Sequence, residues 1–240
     1  MNRLIVANWK MSLGFQQTVN LCTELIKLDV GQTELVICPS MPYLIEVAET
    51  LQSASISLGA QDCAHKNIPA FTGGISAAQL QEIGCKYAIV GHSERRINAH
   101  ETGKDIQDKI LNLMGQSITP ILCIGEDSIS HNARKTEQVI SMQLDEINHQ
   151  IDWSRVVIAY EPVWAIGSGE IPTNGEIEQV ATQIRAKVNP YKILYGGSVS
   201  SSNIKELSEI DSIDGFLIGS ASLKIDEMRL ILDATKRQHG

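Results

Sequence analysis

Val156-Val157-Ile158-Ala159-Tyr160-Glu161-Pro162-Val163-Trp164-Ala165-Ile166-Gly167-Ser168-Gly169 is the stretch on which the reading of the fold turns. Residues 156–159 form a short, continuous apolar run, the pattern of a strand buried on both faces as in a parallel sheet. Glu161 follows where such a strand would emerge. Pro162 removes a backbone donor and restricts the residue before it, while Gly167-Ser168-Gly169 supplies flexible backbone at the end of a mostly apolar loop. The combination suggests a base beside a movable lid. A solvated strand-end glutamate followed by an ordinary loop would look the same in isolation, so the rest of the chain has to decide.

Seven further runs repeat the pattern, at residues 4–6, 35–38, 56–60, 87–90, 118–123, 192–195 and 215–218. Between them lie stretches with apolar residues at helical spacing, at 18–28, 44–51, 101–114, 133–147, 176–188 and 223–234. Eight strand-like runs and intervening helical stretches therefore alternate along the chain with no linker or composition break. That predicts an α/β chain folded as a single-domain (β/α)8 barrel over residues 1–240. An open doubly wound sheet is the alternative, but neither G-x-G-x-x-G nor G-x-x-x-x-G-K-[ST] follows the first run.

The chain has 240 residues, 43% hydrophobic and 20% charged, enough apolar content for a large core. A formal net charge of −8 argues against a general affinity for nucleic acid or an anionic membrane, while leaving room for a local anion site. The five cysteines, Cys22, Cys38, Cys63, Cys85 and Cys123, are odd in number and widely spaced, which predicts reduced, packed thiols. The opening apolar run is too short for a signal-peptide core, and no segment reaches membrane-spanning length. A cytoplasmic location is the expectation.

In a barrel of this kind, residues just after each strand converge on one face. The first run ends in Asn8-Trp9-Lys10, the fourth in Gly91-His92-Ser93-Glu94-Arg95-Arg96, and the sixth in Glu161. Gly196-Gly197-Ser198 and Gly219-Ser220 follow the last two. A histidine, a lysine and a glutamate at three strand ends supply an electrophile, a cation for an anionic substrate and a base. Glu94 is either catalytic or orients Lys10 by a salt bridge, the second being favoured. The two glycine turns let backbone N–H groups approach an anion such as phosphate, and Gly167 would add a donor from the lid. Three other functions fit parts of this pattern. A glycosidase would pair Glu94 with Glu161, but aromatics for sugar stacking make up only 5% of the chain. A metal-dependent sugar-phosphate epimerase would need a His/Asp ligand set that no two strand ends offer. A non-catalytic barrel would have no use for Lys10, His92 and Glu161 together.

The strand-end motifs are Asn8-Trp9-Lys10-Met11, Gly59-Ala60-Gln61, Phe71-Thr72-Gly73, Gly91-His92-Ser93-Glu94-Arg95-Arg96, Cys123-Ile124-Gly125-Glu126, Tyr160-Glu161-Pro162-Val163-Trp164-Ala165-Ile166-Gly167, Tyr195-Gly196-Gly197-Ser198-Val199 and Ala221-Ser222-Leu223-Lys224. With these, the sequence resembles the triosephosphate isomerases over nearly its whole length. The resemblance implies a homodimer that interconverts dihydroxyacetone phosphate and D-glyceraldehyde 3-phosphate through an enediolate, with no cofactor and no metal. It implies Glu161 as the base, His92 as the neutral electrophile, and Lys10 as the cation beside Asn8. The backbone of Gly167, Ser198, Gly219 and Ser220 would cradle the phosphate. Ile166 and Leu217 would press on Glu161, with Ser93, Glu94 and Tyr195 also in supporting roles.

Three positions depart from the family pattern. Ser220 stands where a second glycine is usual but still offers an N–H. Gly74 replaces a common glutamate in the loop 61–74 that would reach the partner subunit, removing an ionic contact to an arginine such as Arg95. Pro172 cannot donate to the hydroxyl of Tyr195, so lid closure should lean on Ser198 and the N–H of Gly169.

Overall fold

The computed structural model describes residues 2–65, 70–147, 150–166 and 170–236. Eight strands, β1 (Leu4–Asn8), β2 (Glu34–Cys38), β3 (Ile56–Ala60), β4 (Tyr87–Val90), β5 (Thr119–Ile124), β6 (Val157–Tyr160), β7 (Lys192–Tyr195) and β8 (Gly215–Ile218), close into a barrel in sequence order. Every pairing is parallel, and Leu4 closes the ring by pairing with Glu34 on one side and Gly215 on the other. The predicted strand runs agree with these elements to within two residues at either end.

Continuous apolar runs arise because alternate residues serve two separate cores. Leu4, Val6, Val36, Ile89, Ile121, Val157, Ala159, Leu194 and Leu217 point into the barrel and fill it. Their neighbours Ile5, Ile37, Val90, Leu122, Ile158, Ile193 and Phe216 point outward and join the larger core beneath the helices. Both side-chain sets are removed from water, which is why no polar alternation marks the strands.

The helices are α1 (Phe15–Leu25), α2 (Leu44–Leu51), α3 (Ala77–Ile83), α4 (Ser93–Asn98), α5 (Gly103–Gly115), α6 (Ser128–Asn132), α7 (Thr136–Asp145), α8 (Asn174–Val188), α9 (Ile204–Leu207) and α10 (Ile225–Thr235). Four of them, α3, α4, α6 and α9, go beyond the sequence expectation. The stretch expected as one helix over 133–147 begins later, after a break in which Arg134 takes φ 56° and which separates α6 from α7. α8 starts where Thr173 and Glu176 cap each other, the threonine hydroxyl accepting from the Glu176 N–H and the Glu176 carboxylate accepting from the Thr173 N–H. No described helix is long and apolar enough to cross a membrane. All five cysteines are buried and unpaired.

A buried ionic cluster joins the β3 end to α4 and α5. Lys109, whose side chain is 2% exposed, pairs with Asp62 and Glu101, and Arg95 adds contacts to both carboxylates, 2.8 Å from Asp62. Burial raises the Asp62 pKa above its ordinary value, against the opposing pull of Lys109. Removing Lys109 would leave two carboxylates sharing Arg95 alone in a largely desolvated place. Lys109→Met is therefore expected to destabilise the fold by about 3 kcal/mol or more, read as a lowered denaturant midpoint at unchanged slope. A change within about 0.5 kcal/mol, the usual effect of a surface substitution, would show that the cluster is solvated in practice.

Candidate active site

At the C-terminal end of the barrel, Asn8, Lys10, His92, Glu161, Ile166, Ser198, Leu217, Gly219 and Ser220 line one cavity of about 590 Å³. Nine sequence-predicted site residues thus meet in one place. Gly167 lies outside the described residues. Ser93, Glu94 and Tyr195 stand around the cavity's working groups.

Lys10 follows β1 in a left-handed backbone conformation, φ 48°, which a lysine adopts only when its surroundings hold it. Asn8 accepts the Lys10 N–H at 3.1 Å. The Lys10 carbonyl accepts from Ser40 Oγ at 2.6 Å and from Gln61 Nε2 at 2.8 Å. Gln61 also donates to the carbonyl of Cys38 at 3.0 Å, stitching the ends of β1 and β2 together. With its backbone held, the Lys10 ammonium reaches Glu94 Oε1 at 2.5 Å. The salt bridge favoured for Glu94 is thus present.

His92 caps α4. Its Nδ1 accepts the Glu94 N–H at 3.2 Å, so the proton of the neutral ring belongs on Nε2. Nε2 lies 3.2 Å from Glu161 Oε1. Burial and Lys10 disfavour the imidazolium, but the Glu161 carboxylate, its hydrogen bond and Glu94 outweigh them and raise the His92 pKa above its ordinary value. Most of that raising depends on Glu161 resting against Nε2.

Glu161 is 2% exposed. Its N–H donates to the carbonyl of Ile124 at 2.8 Å, and two residues later the Val163 N–H donates to the carbonyl of Glu126 at 2.9 Å. Its Oε2 lies 3.5 Å from the Ser93 N–H. Burial and the charge of this carboxylate push the Cys123 thiol pKa well above its ordinary value, so the thiol stays protonated. Two glycines make room for the glutamate. A Cβ on Gly125 would fall 1.7 Å from the Glu161 carbonyl oxygen, and one on Gly196 would fall 2.8 Å from Glu161 Cγ. Gly196 therefore differs from the sequence expectation. Its N–H is spent on the carbonyl of Tyr160 at 2.8 Å, so its smallness serves the carboxylate rather than an anion.

The lid begins on a short 3-10 turn, Val163–Ala165. Glu126, 1% exposed, holds that turn by accepting from Trp164 Nε1 at 2.8 Å and from the Tyr160 hydroxyl at 3.2 Å. His131 stacks on Trp164 with ring centroids 4.0 Å apart. Ser198 Oγ donates to the carbonyl of Ala165 at 2.6 Å, tying the lid's root to the β7 turn. The expected contact between Ser198 and Gly169 falls outside the described residues. The Tyr195 hydroxyl is buried and has no partner among the described residues, and Pro172 has no N–H to offer it. Tyr195→Phe is accordingly expected to cost under about 1 kcal/mol in kcat/KM and Ser198→Ala more, because only the second removes a hydrogen bond. Steady-state kinetics showing Tyr195→Phe to be the more damaging would overturn this ordering.

Gln61, Ser40 and Glu126 escape the sequence reading of the site. Gln61 sits directly after a strand run, so the strand-end logic that found Lys10 and Glu161 could have found it. Among the described residues, no three His, Cys, Asp or Glu side chains gather into a set able to hold a metal ion.

Residues 3–235 match the family model described as triosephosphate isomerase. The triosephosphate isomerase of Wolbachia sp. subsp. Brugia malayi is 39% identical over 243 residues, spanning 100% of both chains. That of Ralstonia nicotianae is 37% identical over 240 residues, covering 95% of this chain and 97% of that protein. That of Bacteroides fragilis is 36% identical over 245 residues, covering 96% and 98%. A family match and full-length relatives coincide with a barrel whose strand ends carry the family's motifs, and the chain belongs to the triosephosphate isomerase family.

Proposed function

We propose that this chain performs its family's isomerisation of dihydroxyacetone phosphate and D-glyceraldehyde 3-phosphate with Glu161 as base, His92 as electrophile and Lys10 as cation. The observation that carries this reading is the approach of Glu161 Oε1 to His92 Nε2, 3.2 Å, on the wall of the cavity that also contains Lys10. Glu161 takes a proton from the carbon next to the carbonyl, giving an enediolate, and returns it to the neighbouring carbon, while the hydroxyl proton passes from one substrate oxygen to the other beside His92. The His92 Nε2–H donates to the oxygen on which charge develops, and Lys10 stabilises that charge and the phosphate. Once Glu161 turns from His92 toward substrate, burial, Lys10 and the Glu94 N–H at Nδ1 all favour the neutral imidazole needed for that donation. Ile166 and Leu217 exclude water from the carboxylate, and the backbone at Ser198, Gly219 and Ser220, with Gly167 from the lid, receives the phosphate. No step calls on a metal. The test is to follow conversion of glyceraldehyde 3-phosphate with and without a chelator; activity that survives chelation supports the reading, and loss of activity favours a metal-dependent epimerase instead.

The reading extends to a homodimer in which the loop 61–74 reaches beside the partner's active site. Phe71 is 47% exposed and Met11 94%, apolar surface that a second subunit would cover. Arg95 is already engaged within the chain by Asp62 and Glu101, which suits a loop carrying Gly74 in place of an acid. Association should then depend little on ions, and raising salt should leave the sedimentation of the dimer nearly unchanged. A fully active monomer at micromolar concentration would defeat it. A cytoplasmic location, expected from the sequence, accords with a substrate of central carbon metabolism.

A further inference from the structure

We propose that Gln143 is a positioning residue for Glu161, acting through Gly125; this rests on Glu161 being the base. The ladder between β5 and β6 ends at the pair Ile124 and Tyr160. Gly125, one residue further, has left the sheet just where it meets Glu161. There the side-chain amide of Gln143, from α7, takes both of its backbone groups: Oε1 accepts the Gly125 N–H at 2.9 Å, and Nε2 donates to the Gly125 carbonyl at 3.0 Å. A primary amide presents the same donor and acceptor as a peptide unit. Gln143 thus supplies the missing neighbour and extends the order of the sheet by one residue.

That residue matters because of what touches it. The place a Cβ of Gly125 would take lies 1.7 Å from the Glu161 carbonyl oxygen, so any shift of Gly125 is passed to the glutamate's backbone. Packing does little to resist such a shift. A second cavity of about 230 Å³ lies behind the carboxylate, lined by Gly125, Gln143, Glu161, Arg96 and Cys123. Where side chains do not fill the space, hydrogen bonds to backbone set the position. Arg96 performs a related service on the other side, donating to the carbonyls of Gly91 at 2.8 Å and Cys123 at 3.2 Å. Between them they brace the ends of β4 and β5 on which His92 and Glu161 depend.

The test compares Gln143→Met, which keeps volume without the amide, with Gln143→Glu, which keeps an acceptor but regains a donor only when protonated. Gln143→Met is expected to lower kcat about tenfold with KM within about twofold, as displacement of a reacting group predicts. Gln143→Glu should lie between it and wild type at neutral pH and approach wild type, measured at the same pH, as the pH falls. Placed in a Glu161→Asp background, where the carboxylate is already withdrawn, Gln143→Met should cost less than about threefold more, because both changes act on one position. A kcat within about twofold of wild type in both Gln143 variants, with only the thermal midpoint lowered, would show that Gln143 merely braces the barrel. A full tenfold loss repeated in the Glu161→Asp background would show that it does not act through Glu161. If Glu161→Asp itself stays within about threefold of wild type, it is the base assignment that fails.

Discussion

Glu161→Asp is expected to leave the fold intact and to lower kcat by several orders of magnitude, and by at least about a hundredfold, without abolishing turnover. The substitution keeps the carboxylate but draws it back by one carbon–carbon bond. The backbone that holds it is unaffected, since the Glu161 N–H still reaches Ile124 and Gly125 still leaves room for the carbonyl. What is lost is reach. A base must sit within hydrogen-bond distance of the proton it removes, and a misplacement of about 1 Å costs roughly a hundredfold. Activity within about threefold of wild type would refute the assignment.

The second large effect is expected at His92. His92→Gln keeps an N–H donor near the same place but loses the ring that the Glu94 N–H orients at Nδ1. Its hydrogen bond is strongest when charge has built up on the substrate oxygen, so kcat should fall by roughly a hundredfold while KM changes little. An effect confined to KM would contradict this. The electrostatics supply an independent check. In the resting enzyme Glu161 holds the His92 pKa above its ordinary value of 6.5 against burial and Lys10. Glu161→Gln removes the strongest raising influence and leaves burial, which lowers it. Titration of the His92 imidazole by NMR should therefore show a clear downward shift in that variant. An unchanged pKa would mean that the pair does not interact as the geometry indicates.

The strands were legible because a barrel strand is buried from both sides, and nothing polar interrupts Val157, Ile158 and Ala159 or Leu35, Val36 and Ile37. Strand ends were legible for the same reason, since the first polar residue after each run marks the mouth of the barrel. The helices α3, α4, α6 and α9 were harder, because four to seven residues hold too few turns for an apolar period to show. Caps were nonetheless present at α3, α4 and α6, as in the reciprocal pair of Ser76 and Gln79 at the start of α3. What order along the chain could not give is contact between strand ends. Gly125 and Gly196 are plain glycines until Glu161 is placed against them, and Gln61 and Glu126 act on groups far away in sequence. Gly196 reads as part of an anion turn from its spacing; the structure instead puts it against Glu161, with its N–H donated to the carbonyl of Tyr160.

Isomerisation of dihydroxyacetone phosphate in deuterium oxide, with a chelator present and followed by NMR, tests the central claim most directly. The wild-type enzyme should form glyceraldehyde 3-phosphate whose receiving carbon carries substrate hydrogen together with deuterium exchanged in while the proton sits on Glu161. Glu161→Gln, though still binding substrate, should lose isomerisation and deuterium uptake together. Isomerisation or deuterium exchange persisting at the wild-type rate in Glu161→Gln would contradict the assignment of Glu161 as the base that carries the proton between the two carbons.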